Sequence, residues 1–182
     1  MKTIRNILVV LMSIMSISAN AQSFNIEKQV EVDKPQGKIL PNITVLSLEG
    51  KEVEFTAACG IKHVVLCNIS APNLGNWMRK FKEVGIPSVS LISWAPILTK
   101  GMTKYTMAFY KKTFYKWQVK YGITYSIDCQ KNMINVWGLP EKHNCMYIYV
   151  LGPQGEVLYS AGATNESEFD TYIKEAANYM KS

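Results

Sequence analysis

The stretch that most constrains this chain is Val64–Ile69, a six-residue run in which both alternating sides are largely apolar. A strand with polar residues on one side can face water, but one that is apolar on both must lie inside a sheet covered on each face. The residues that follow, Ser70–Trp77, contain small and turn-forming types. They lead into Leu74, Trp77, Met78 and Phe81, spaced at i, i+3, i+4 and i+7 as the apolar stripe of a helix. Asn73 is placed as its N-cap and Gly85 as its stop. The core of the chain therefore begins as a buried strand, a turn and an amphipathic helix.

The same pattern continues on both sides of this unit. Upstream, Ile43–Leu48 and Lys51–Phe55 form the arms of a hairpin around Glu49-Gly50, and Phe24–Val32 alternates as an edge strand ending in a Lys-Pro-Gln-Gly turn. Downstream, Ser88–Trp94 and Thr124–Asp128 read as strands flanking a helix. That helix carries Met107, Tyr110, Phe114, Trp117 and Tyr121 on one side and stops at Gly122. A second hairpin, Cys145–Leu151 with Glu156–Ala161, turns at Gly152-Pro153-Gln154-Gly155. A last helix opens with Asn165 and Glu168 in capping-box spacing and buries Phe169, Tyr172, Ile173, Ala176 and Met180. The class is α/β: a mixed central sheet with helices on both faces and an N-terminal β-hairpin extension.

The first 21 residues set the expected location. Lys2 and Arg5 precede an apolar run from Ile7 to Ile17 and the small-residue site Ala19-Asn20-Ala21, the order of an export signal. The run is about eleven residues, short of the roughly 20 that span a bilayer. The expectation is a cleaved leader, 1–21, followed by one domain, 22–182, with no integral membrane span. The site of action is then periplasmic or secreted. No cysteine follows the cleavage site, so a lipoprotein is not expected.

The leader holds two of the 20 basic residues and none of the 14 acidic ones, leaving a mature net charge of about +4 and Arg79 as the single arginine. A chain with one guanidinium lacks the groups that read bases and clamp phosphates, so nucleic acid is not an expected partner. Lys104, Lys112, Lys116 and Lys120 nearly align along one helix and read as a solvated face. Tyr105 and Tyr115 lie off the apolar stripe beside these lysines, where tyrosine suits a partner-binding face. A serine hydrolase is not supported, because Ser70 and Ser93 lack the Gly-x-Ser-x-Gly context.

Several segments together, Leu40-Pro41-Asn42-Ile43-Thr44-Val45, Leu48–Val53, Val64–Asn68 and Val150–Val157, resemble the exported redoxins (AhpC-TSA-like) of the thioredoxin-like superfamily. The resemblance covers nearly the whole mature chain. It is nearest to the periplasmic YtfJ-type proteins, which similarly join Tyr125–Asp128 and Trp137 to the closing hairpin and lack the Cys-x-x-Cys dithiol. The implied fold is thioredoxin-like. In redoxins the first cysteine of that dithiol is activated at the start of the helix after the central strand. Laid on this pattern, Leu74 and Trp77 stand where the two cysteines would be, so dithiol exchange by the usual route is excluded. Met146 falls where the superfamily places a cis-proline, and Pro140 lies about six residues upstream.

The four cysteines, Cys59, Cys67, Cys129 and Cys145, form no Cys-x-x-Cys pair. Under the implied strand order, the strand of Cys67 lies between those of Cys129 and Cys145. Three readings stay open: small buried hydrophobes, a structural disulfide with Cys67–Cys145 as the first pair to test, or a reactive thiol at Cys145 with His143 nearby. His63 and His143 read as ordinary histidines. His143 with the cysteines has zinc-ligand chemistry without zinc-ligand spacing, so neither metal nor other cofactor is expected.

Two functions follow. One is a non-catalytic binding or structural module of the bacterial envelope, engaging a protein or peptide at the former redox corner through Pro72, Asn73, Leu74, Asn76, Trp77, Cys145 and Met146. The other is a thiol-dependent oxidoreductase or peroxidase using Cys145 with Cys67 or Cys129.

Overall fold

The protein was analysed as a computed structural model that describes residues 37–69, 74–95, 103–141 and 144–182. Between 103 and 110 it describes the backbone and the side chain of Ala108. The leader, the strand expected at 24–32, Ser70, Pro72, Asn73 and His143 lie outside the described residues. So do the side chains of Lys104, Tyr105, Met107 and Tyr110.

The N-terminal hairpin pairs β1 (Ile43–Leu46) with β2 (Glu52–Phe55), in register from Ile43 opposite Phe55 to Leu46 opposite Glu52. Its turn needs Gly50, whose φ of 76° is costly for any side chain. The Gly50 amide donates to the Ser47 carbonyl at 2.9 Å.

The run expected to be central is β3 (His63–Ile69), and all seven of its residues are buried. It pairs in parallel with β4 (Val89–Trp94) on one edge and antiparallel with β6 (Cys145–Leu151) on the other. With β5 (Thr124–Asp128) and β7 (Val157–Ala163), the strands form one sheet in the order β2-β1-β5-β4-β3-β6-β7. The strand of Cys67 thus lies between β6, which bears Cys145, and β5, which ends one residue before Cys129, but β4 separates it from β5.

Two long crossovers connect the parallel strands: α1 (Leu74–Val84) and α2 (Thr103–Tyr121). Since β3, β4 and β5 step across the sheet in one direction, right-handed connections must leave both helices on the same face. Trp77, Met78 and Phe81 of α1 share one core with Phe114 and Trp117 of α2. Phe169 and Ile173 of the last helix, α4 (Glu166–Lys181), join the same core. The buried stripe of α4 begins at a capping box in which Asn165 Oδ1 accepts from the Glu168 amide at 2.9 Å. Burying a ring such as Phe169 contributes about 1.5–3 kcal/mol.

The other face is covered without a long helix. Here Asp128, 0% exposed, accepts from the Gln130 amide at 3.0 Å and the Met133 amide at 2.7 Å, and holds the single turn α3 (Asn132–Asn135) in place. Met133, Trp137 and Leu139 then pack on Val65, Cys67, Tyr147 and Tyr149. Trp137 donates its indole N–H to the Pro41 carbonyl at 2.8 Å, tying this cover to the N-terminal hairpin. No helix among the described residues is long and apolar enough to cross a membrane.

Candidate functional site

The corner at the C-terminal end of β3 is where α1 begins. Leu74 and Trp77 lie one turn apart on that helix, with Leu74 half-buried and Trp77 2% exposed, its ring centroid 5.0 Å from that of Phe169. Neither side chain can become a thiolate. Asn76 is half-buried beside them and donates to Glu166 Oε1 at 2.9 Å while accepting from Arg79, so its amide bridges the start of α1 to the start of α4.

From β6, Cys145 and Met146 reach the same end of the sheet, opposite Ile69 and Asn68 respectively. Successive strand residues point to opposite faces. Met146 therefore enters the core of the long helices at 0% exposure, and Cys145 enters the other core at 2%. Of the described residues proposed to bind at this corner, Leu74 and Asn76 are the two that reach solvent. No cis peptide bond occurs among the described residues, so Pro140 and its neighbours supply no cis-proline at this corner.

The thiols here are poorly suited to ionise. Across the β3–β6 ladder Cys67 faces Tyr147, with Cys145 one pair farther along the same face, so their side chains are diagonal rather than opposite. The two remain thiols, as do Cys59 and Cys129. Burial, reinforced by the nearby Asp128 carboxylate, drives the Cys67 thiol far above its usual range. The same two causes push Cys129 up to about 11. Tyr147, which hydrogen-bonds with Cys145, is likewise raised, chiefly by burial and then by Cys145. A low-dielectric pocket with a carboxylate in it opposes every additional negative charge.

The sequence reading gave Cys59 no role and read His63 as ordinary. The structure brings them together at the other end of β3: Cys59 is exposed, and its Sγ lies 3.1 Å from Nδ1 of His63, which is 4% exposed. The four-residue spacing Cys59-Gly60-Ile61-Lys62-His63 was the available signal. That spacing is a weak signal because no helix places i and i+4 together there; the positive φ of 78° at Gly60 turns the chain back instead.

Comparison with solved structures gives the context for this geometry. The chain is similar to a peroxiredoxin-like protein from Aquifex aeolicus, at 18% identity and a TM-score of 0.53, covering 78% of this chain and 86% of that one. It is similar to a thiol peroxidase from Chromobacterium violaceum at 12% identity and a TM-score of 0.55, covering 81% and 88%. It is also similar to a peroxiredoxin Q from Xanthomonas campestris at 11% identity and a TM-score of 0.54, covering 80% and 99%. No family model and no curated protein sequence matches the chain. The likeness is one of fold, and the fold is thioredoxin-like.

Proposed function

We propose that this chain is an exported thioredoxin-fold protein of the envelope that binds a peptide segment of a partner at its former redox corner and does not exchange disulfides there. The observation that carries the reading is that Leu74 and Trp77, which stand where the redoxin resemblance implies the two cysteines, are carbon side chains, one half-exposed and the other built into the core. Leu74 offers apolar area and Asn76 a polar group beside it, a combination suited to an extended peptide laid along the corner. Pro72 and Asn73, which precede Leu74 in the sequence, belong to the same proposal.

The alternative, a peroxidase or oxidoreductase with Cys145 attacking and Cys67 or Cys129 resolving, needs an attacking thiol that reaches a solvent-borne substrate, whereas Cys145 is 2% exposed, and it needs resolving thiols that ionise, whereas burial and Asp128 raise both Cys67 and Cys129. A thiol held to about 11 supplies less than about 1% thiolate at neutral pH.

Co-purification from envelope extract with the tagged mature chain tests the binding reading. Leu74→Glu and Asn76→Asp, which alter the accessible part of the corner, are expected to lose specific partners by mass spectrometry while the chain stays folded. Unchanged recovery with both substitutions would reject the corner as the binding surface.

A further inference from the structure

The end of the sheet opposite the corner holds the chain's one exposed cysteine against a buried base. From His63 to Ile69 the strand spans about 20 Å, so this pair is remote from Leu74 and Trp77 and independent of whatever binds there. Cys59 lies in the loop between β2 and β3, anchored by the Gly60 amide donating to the Pro153 carbonyl at 2.9 Å. On the other side Gly155 packs so closely that a β-carbon there would come within 3.1 Å of the Ala58 nitrogen. The loop is thus seated on the β6–β7 turn.

His63 is held more firmly still. Its ring lies 6.4 Å from Phe55, Phe55 lies 5.7 Å from Trp137, and Trp137 lies 6.3 Å from Tyr149, an aromatic row running into the core. Nδ1 lies 3.4 Å from the Ile61 carbonyl as well as 3.1 Å from Cys59 Sγ. Burial lowers the affinity of this ring for a proton and the Ile61 carbonyl partly restores it, so at neutral pH the imidazole is uncharged. An uncharged ring can accept through Nδ1 from the thiol, and once protonated it can donate toward the Ile61 carbonyl. Two charged side chains of the adjoining segments have partners of their own. Lys62 reaches the Tyr179 carbonyl at 3.5 Å, and the Glu156 carboxylate accepts from the Gln154 amide at 2.9 Å.

The geometry points to Cys59 as a thiolation site for a small disulfide, with His63 as its proton acceptor. Nδ1 of His63 takes the Cys59 proton as Sγ attacks one sulfur of the small disulfide. The new bond joins Sγ to that sulfur, the original sulfur–sulfur bond breaks, and the departing thiolate takes the proton back from the imidazolium. Cys59 is oxidised from thiol to mixed disulfide, and one half of the small molecule is reduced to a free thiol. The adduct persists, because Cys67 and Cys145 are buried farther along the sheet and Cys129 follows the far end of β5, where none of the three can displace it.

Oxidised glutathione added to the reduced, full mature chain tests this, with the site read by peptide mass mapping and the rate followed from about pH 6 to about pH 10. The first adduct is expected on Cys59. Near neutral pH the rate in His63→Gln is expected to fall about tenfold or more, and to converge with wild type near pH 10, where a thiol ionises unaided. A first adduct elsewhere, or equal rates across the whole range, would overturn the assignment. If His63→Gln does not fold, the comparison becomes wild type with and without urea. Cys59 in the native chain must then react faster near neutral pH than the same cysteine unfolded, and an equal or slower rate overturns it.

Discussion

The two ends of β3 differ in where each places its sulfur. At the C-terminal end, Cys67 and Cys145 are sunk in a core of aliphatic and aromatic side chains, Cys67 close to the Asp128 carboxylate, and the helix start presents carbon. At the N-terminal end, Cys59 is exposed and the buried partner is a base. Burial itself does not decide reactivity. A buried acid-base partner beside an exposed thiol assists proton removal, whereas a buried thiol beside a carboxylate resists it.

If the C-terminal corner is core, substitutions there should be costly. Trp77→Ala should lose about 3–5 kcal/mol in urea unfolding, because the cavity opens against Phe169; a loss under about 1 kcal/mol would mean that Trp77 is not a packing residue. Replacing a cysteine at each end sharpens the contrast further. Cys67→Ser should cost about 1–3 kcal/mol by placing a hydroxyl in an apolar site. Cys59→Ser should stay within about 0.5 kcal/mol of wild type. Equal effects of the two substitutions would erase the distinction.

A smaller effect is expected from pH. Cys129 keeps its proton to about 11 in the folded chain, while an unfolded thiol releases it near 8.5. The raised folded value means that the stabilisation is fully present below about 8.5 and is lost as pH rises toward about 11. Cys67, raised by the same causes, adds in the same direction. Urea midpoints should therefore fall across that window, and less steeply in Cys129→Ala. The smallest change concerns the cap: Asn165→Ala should cost about 1 kcal/mol, measured in the same way.

What was legible in the sequence was what local physics determines. The Val64–Ile69 run, the Trp77-Met78-Phe81 stripe, the Gly50 turn and the Asn165–Glu168 cap each depend on neighbours a few residues away, and each occurs in the structure. The single turn α3 was not legible, since it is held by Asp128 and Trp137 through contacts the local pattern does not carry. The diagonal offset of Cys67 and Cys145 depends on strand register, which no single strand reveals. The meeting of Cys59 and His63 depends on a loop bent at Gly60 and seated on the β6–β7 turn.

The central claim is that the thioredoxin-like scaffold carries no working disulfide exchange at its usual corner. Insulin-disulfide reduction by the mature chain in a Cys59→Ser background, with excess reductant, measures this directly. The account predicts a rate no different from reductant alone; sustained turnover that disappears on adding Cys145→Ser would contradict it.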